Sequence, residues 1–247
     1  MGFRKLYLKE VKSILPLFGV FLVAVVLLHF FILYKRESLD MDLIFALSLV
    51  TPFILAAIVA IGTGYYQLHV EWKTNSIYLL LALPIRGWKV LTAKLAAVFS
   101  LLVLVSIGIA VSFIVILLRV KWSEFMSTDD FSLVLPTFIN VTANSSWMYG
   151  LAILFLIVIA QFAFLCGQLV SKFKWVVELG AFFAALWLVI RIHPLVSNLL
   201  IWMPDILFGG KETDVMYLHA GPFIVLAVIS AGFVWLNGYI FEKEVEV

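Results

Sequence analysis

The chain has 247 residues, of which 64% are hydrophobic and 13% charged, with a mean hydropathy of +1.14. A soluble domain carries about 45–50% apolar and about 25% charged residues, so a soluble globular fold is excluded. The net charge of +2 gives no nucleic-acid footprint, and a single cysteine, Cys166, excludes an internal disulfide and a cysteine-built zinc site.

An ionisable side chain at the bilayer centre costs about 2.5–3.5 kcal/mol on insertion scales, so runs free of Asp, Glu, Lys and Arg mark the hydrocarbon layer. Five such runs and a sixth, irregular one predict an all-α integral membrane protein, a single transmembrane domain over residues 1–247. The expected spans are 14–34, 43–66, 95–118, 148–170, 179–194 and 219–241. At about 20 residues each they take about half of the chain and leave no room for a separate soluble domain.

In chain order, the first element is an amphipathic helix over residues 3–14. Phe3, Leu6, Tyr7, Val11 and Ile14 fall at helical spacing, and Lys5, Lys9 and Lys12 form the opposite stripe. Pro16 follows where such a surface helix turns into the bilayer, which predicts an N-terminal elbow ahead of span one. The apolar run after it is too long for a signal peptide and is followed by bulky Tyr34, so a retained span is expected.

Between spans two and three lies a 30-residue segment, Tyr65 to Lys94, far longer than a turn requires. Polar anchors at Glu71, Trp72, Lys73, Thr74, Asn75 and Ser76 precede an apolar run from Ile77 to Leu83. Pro84, Ile85, Arg86, Gly87, Trp88 and Lys89 follow. Seven apolar residues are too few to span, and an apolar stretch flanked by charges and ended by proline predicts a short interfacial helix with one face open to a partner. The other reading of the segment is a pair of long helices projecting past the bilayer, against which Pro84 and Gly87 argue.

The order Glu71, Thr74-Asn75-Ser76, Leu80-Leu81, Leu83-Pro84-Ile85-Arg86 and Lys94 resembles the membrane subunits of ABC-2 type exporters. Asn75 stands where many members of that family have glycine. The resemblance implies that the segment is a coupling helix seated in a cleft of a separate ATP-binding cassette subunit. Glu71, Thr74, Asn75, Leu80, Leu83, Pro84 and Arg86 would form its contact surface, with Glu71 and Arg86 fixing orientation at the rim. It also implies a second permease copy, or a related permease, as the other half of the pathway. ATP and Mg would be held by the ATPase and no cofactor by this chain.

The fourth span is expected to begin only after Trp147, because Asn140, Asn144, Ser145 and Ser146 interrupt the run before it. Asn140-Val-Thr142 and Asn144-Ser-Ser146 match the N-glycosylation pattern and are read as chance matches. The fifth span meets Arg191 twelve residues after Leu179, about 18 Å of helix and too short to cross. His193 and Pro194 follow, then a second apolar piece that ends before Asp205. A short outer re-entrant or interfacial hairpin is predicted there, with Arg191, His193 and Trp202 as candidate exit-gate residues. His29, Gln161, Cys166, Gln168 and Asn237 lie at membrane depth and are expected to bond between helices, worth about 0.6 kcal/mol each.

With the N-terminus inside, the inner segments hold eleven Lys and Arg against six outside, and nine of the fifteen acids fall outside. This asymmetry predicts a multi-pass protein of a bacterial plasma membrane with both termini cytoplasmic. No phosphate-binding loop occurs, since Gly209-Gly210-Lys211 lacks the preceding strand and the Ser/Thr. The four histidines are isolated, and neither a metalloprotease helix nor a serine-nucleophile elbow is present, so no enzyme is expected. Acids or bases near mid-membrane, which ion coupling requires, are missing from spans one to four and six.

The expected function is therefore an exporter permease driven by a partner ATPase. A hydrophobic or amphipathic peptide, such as an antimicrobial or toxin peptide, is the favoured cargo. An ion-coupled transporter or channel, or a non-transporting sensor subunit, is the alternative. The orientation has a direct test in intact cells on a Cys166→Ala background. Cysteines at Lys35, Ser127 and Thr213 should react with an impermeant maleimide, and cysteines at Lys73 and Lys172 should not; labelling at position 73 would invert the assignment.

Overall fold

The computed structural model describes residues 2–76, 86–127, 131–209 and 216–243. Helix α1 spans Gly2–Lys35. A short α2, Met41–Phe45, runs through a π-helical turn, Ala46–Val50, into α3, Thr51–Lys73. Then come α4 at Gly87–Ser127, α5 at Phe131–Gln168 and α6 at Lys174–Asn198. Strands β1 (Asp205–Phe208) and β2 (Met216–His219) precede the last helix, α7, Gly221–Lys243. Six helical stretches among the described residues are long and apolar enough to cross a membrane, α2 and α3 together making one of them.

All six expected spans are present, and several helices run past their expected ends. Span four starts at Phe131 because its polar residues are satisfied within the helix. Ser146 Oγ donates to the Thr142 carbonyl at 2.7 Å, and Asn144 Nδ2 to Asn140 Oδ1 at 3.2 Å, so the helix continues through them. Span five does not break at Arg191–Pro194 but continues to Asn198. A proline inside a helix removes a single backbone bond, which a neighbouring group can compensate in a membrane bundle. Most of the 30-residue segment between spans two and three is helical as well: α3 reaches Lys73, and α4 starts at Gly87. Residues 77–85, where the coupling helix is expected, lie outside the described residues.

Pro16 likewise does not interrupt α1. A continuous buried stripe of Leu6, Glu10, Ile14, Phe18, Val25, His29 and Ile32 recurs every three, four or seven residues along it. That stripe packs on α4, the helix with which α1 makes its main contact. Between the last two spans a β-ribbon pairs Asp205 opposite His219 and Phe208 opposite Met216, beyond most of the apolar piece expected to form a re-entrant or interfacial hairpin. The apolar piece that follows Pro194 is divided between the end of α6 and the turns at 199–202.

Helix α5 is the hub, touching α3, α6 and α7, and it is the most buried of the spans. The main core joins Ile14, Phe18 and Val25 of α1, Ala56 and Ala60 of α3, Leu102 and Val105 of α4, and Ile157 and Val158 of α5. Lipid is as apolar as these side chains, so close packing and interhelical hydrogen bonds hold the bundle where hydrophobic burial cannot. Gly64 shows the closeness: a Cβ there would lie 2.5 Å from Ile157 Cγ2. Gly64→Ala should therefore cost about 1–3 kcal/mol by overpacking. Thermal melting in detergent should show the loss in the single variant and partial recovery when Ile157→Ala is added.

Candidate functional site

The helices form two ends. The start of α1, the end of α3, the start of α4, the 168–174 turn and the end of α7 lie together at one; the β-ribbon and the 35–41 turn lie at the other. At the first end the bundle buries a cluster of charges. Lys94, eight positions into α4 and 0% exposed, sends Nζ to Glu71 Oε1 of α3 at 2.6 Å and to Glu10 Oε2 of α1 at 3.1 Å. Gln67, one turn before Glu71 on α3, donates Nε2 to the same Glu10 oxygen at 3.2 Å. Glu10 is 4% exposed and Glu71 7%.

Helical geometry puts them there. Glu10 lies four residues from Leu6 and four from Ile14, on the apolar stripe and away from Lys5, Lys9 and Lys12. Gln67 and Glu71 repeat at four residues on α3, in line with Ala56, Ala60 and Thr63. An unpaired ion here would cost several kcal/mol, so the three charges hold one another in place. The apolar cluster beside them draws on Leu6, Leu68, Leu91, Phe164 and Phe241, and thus on five helices.

The candidate coupling residues are distributed as follows. Glu71 is turned into the bundle, bonded to Lys94, instead of standing at a rim. Thr74 closes α3, its Oγ1 donating to the Val70 carbonyl at 2.8 Å. Asn75 takes a left-handed backbone, φ 55°, which glycine adopts freely and asparagine tolerates, so this asparagine makes the turn that a glycine would. Arg86 is exposed, and its carbonyl accepts the Lys89 N–H at 2.9 Å as α4 begins. Gly87 N–H, the first of α4, donates to Glu242 Oε1 of α7 at 2.7 Å. Leu80, Leu83 and Pro84 lie outside the described residues.

The candidate gate residues do not converge. Arg191 is exposed on α6 and stacks over the Trp187 ring at 5.7 Å. His193 is half-buried and its Nε2 donates to the Pro222 carbonyl at 2.9 Å, tying α6 to the start of α7. Trp202 is 75% exposed. Beside them the ribbon is pinned to α5: Asn144 Nδ2 donates to the Leu207 carbonyl at 3.1 Å, and Asn140 Oδ1 accepts the Gly209 N–H at 3.2 Å. Both asparagines of the glycosylation patterns are thus occupied in docking the ribbon.

Of the polar residues at membrane depth, His29 bonds the Ser48 carbonyl at 2.8 Å and Asn237 the Val158 carbonyl at 3.0 Å. Gln161 Nε2 is buried without a partner. Among the described residues, no three of His, Cys, Asp and Glu are placed to hold a metal ion. Compared with known proteins, the chain matches no family model, no curated protein and no solved structure.

Glu10, Gln67 and the buried state of Lys94 were not anticipated from the sequence. The signal was present in the spacing Leu6, Glu10, Ile14, which puts an acid on the helix face that has no lysine. Lys94→Met should cost about 3–5 kcal/mol, because it leaves two carboxylates buried without their cation. The triple variant Glu10→Gln, Glu71→Gln, Lys94→Met should recover most of that loss. Monodisperse yield and melting temperature in detergent report both; a single variant as stable as the wild type would show the cluster to be energetically idle.

Proposed function

We propose that this chain is the membrane subunit of an ATP-driven exporter of the ABC-2 type. It moves a hydrophobic or amphipathic substrate, a peptide foremost, out of the cell. The observation that carries the proposal is the clamp around segment 77–85. Glu71 lies in the helix that enters this segment, Lys94 in the helix that leaves it, and Glu10 joins both to α1. A push on the segment therefore moves three helices at once. That is what a permease without a phosphate-binding loop needs in order to be driven by contact with a partner ATPase.

The lysine and arginine count supports a cytoplasmic position for this end and both termini, with the β-ribbon on the exit side. Leu80 and Leu83 fill a cleft of the ATPase, and Arg86, which is exposed, stands at its rim. Thr74 and Asn75 set the angle at which the segment leaves α3, and Glu71 acts from behind as its anchor. The start of α1 belongs to the bundle through Leu6, Glu10 and Ile14, and its exposed Lys5, Lys9 and Lys12 face the inner headgroups. A second permease, identical or related, completes the pathway. An ion-coupled transporter would also use buried carboxylates, but would hold them near mid-membrane at a break in a helix. Here they sit near the end of unbroken helices.

Desolvated apolar anchors carry more binding energy than rim charges. Leu83→Asp should therefore release the ATPase on detergent purification. Glu71→Ala leaves Lys94 paired with Glu10, so the complex should persist while cargo-stimulated ATP hydrolysis falls. The reading fails if no ATPase accompanies the purified chain, or if both variants leave complex and hydrolysis unchanged.

A further inference from the structure

The buried cluster does not balance in charge or in hydrogen bonds. Two carboxylates face one ammonium, which leaves one negative charge in excess among side chains 0–7% exposed. The charged groups acting on Glu71 are Lys94, Glu10 and Lys9. Lys9 lies 3.8 Å from Glu10 Oε1 but is 64% exposed and points to solvent, where screening leaves it little hold on a buried charge. Among the described residues, α5 and α7 bring Phe164, Leu165, Ile240 and Phe241, none of them titratable, to the apolar cluster alongside.

The hydrogen bonds fail in the same direction. Glu10 Oε1, Glu71 Oε2 and Gln67 Oε1 are buried acceptors without a donor. Lys94 spends two of its three N–H groups on Glu71 Oε1 and Glu10 Oε2, and Gln67 spends Nε2 on Glu10 Oε2. One N–H left on Lys94 and one on Gln67 face three orphaned acceptors, so the site is short of a donor and has one negative charge too many. A proton supplies the one and removes the other.

We propose that Glu10, Glu71 and Lys94 form a one-proton binding site, in which the two carboxylates of α1 and α3 hold a single proton between them at neutral pH. The site goes beyond the exporter reading and stands without it. Protonated, the cluster is neutral, and one of the orphaned carboxylate oxygens becomes a donor. Deprotonated, two carboxylates compete for one lysine, and the contact of α1 with α3 and α4 loosens. The proton belongs to the pair, so removing either carboxylate leaves the other satisfied by Lys94 and abolishes the need for it.

The sign of the pH effect follows from linkage. An unfolded chain has both carboxylates ionised at neutral pH, so the folded state binds one proton more, and its stability falls as pH rises past the site's titration. The full chain in lipid nanodiscs, examined by infrared spectroscopy at neutral pH, tests the site through the C=O stretch of protonated carboxyl groups, which stands apart from the carboxylate bands. Glu10→Gln and Glu71→Gln should each lose the intensity of one carboxyl group relative to wild type. Each should also flatten the fall of melting temperature that the wild type shows from neutral to alkaline pH. Intensity retained in either variant overturns the proposal. Should a variant fail to fold, a wild-type melting temperature that does not fall between neutral and alkaline pH overturns it equally.

Discussion

Lys94 has no water. Its ammonium lies at an α1–α3–α4 junction with no exposed surface, and every other choice at that end of the bundle follows from having to satisfy it. A cation so placed fixes the register of α4, because sliding the helix by one residue would turn the side chain about 100° away from both carboxylates. It also fixes α1, whose apolar stripe would otherwise pack on α4 at several similar depths. Apolar contacts in lipid discriminate weakly between such alternatives. A buried charge discriminates strongly, because the wrong register leaves an ion unpaired.

Around the cluster the same end is tied by directional contacts among the remaining helices. Tyr65 donates its hydroxyl to Glu178 Oε2 at 2.7 Å, joining α3 to α6. Trp72 stacks edge-on against both Phe164 and Phe241, joining α3 to α5 and α7. Among the described residues the opposite end is tied mainly by neutral or exposed groups. Asn140 and Asn144 dock the ribbon on α5, and His219 bridges the Asp205 carboxylate at 3.1 Å and the Leu200 carbonyl at 2.9 Å.

The six spans were legible because charge is excluded from hydrocarbon, and that rule acts on every residue of a run. Their ends are not legible, because polar side chains in a sequence read as breaks. Ser146 and Asn144 bond back one turn along their own helix, and His193 finds the Pro222 carbonyl on the neighbouring one. Neither kind of partner is visible in composition. Of the connection read over residues 65–94, α3 takes 65–73 and α4 takes 87–94, and Glu71, legible as a polar anchor there, belongs to α3. Its burial is not legible, since a glutamate and a lysine 23 residues apart meet only once α3 and α4 have packed.

The contrast between the two ends bears on how a contact-driven permease would work. Work done on one loop reaches the rest of a bundle only if the loop's stems cannot move independently of it. At the charged end the stems are joined to α1 by bonds whose rupture would strand a buried ion, so that end moves as a unit. At the ribbon end a comparable displacement costs a few neutral hydrogen bonds, typically about 0.5–1.5 kcal/mol each, and exposed groups such as Asp205 can be rehydrated. A bundle stiff at one end and weakly tied at the other opens at the weak end when pushed at the stiff one. In a permease of the proposed kind, the direction of opening would then follow from the chemistry of the two ends.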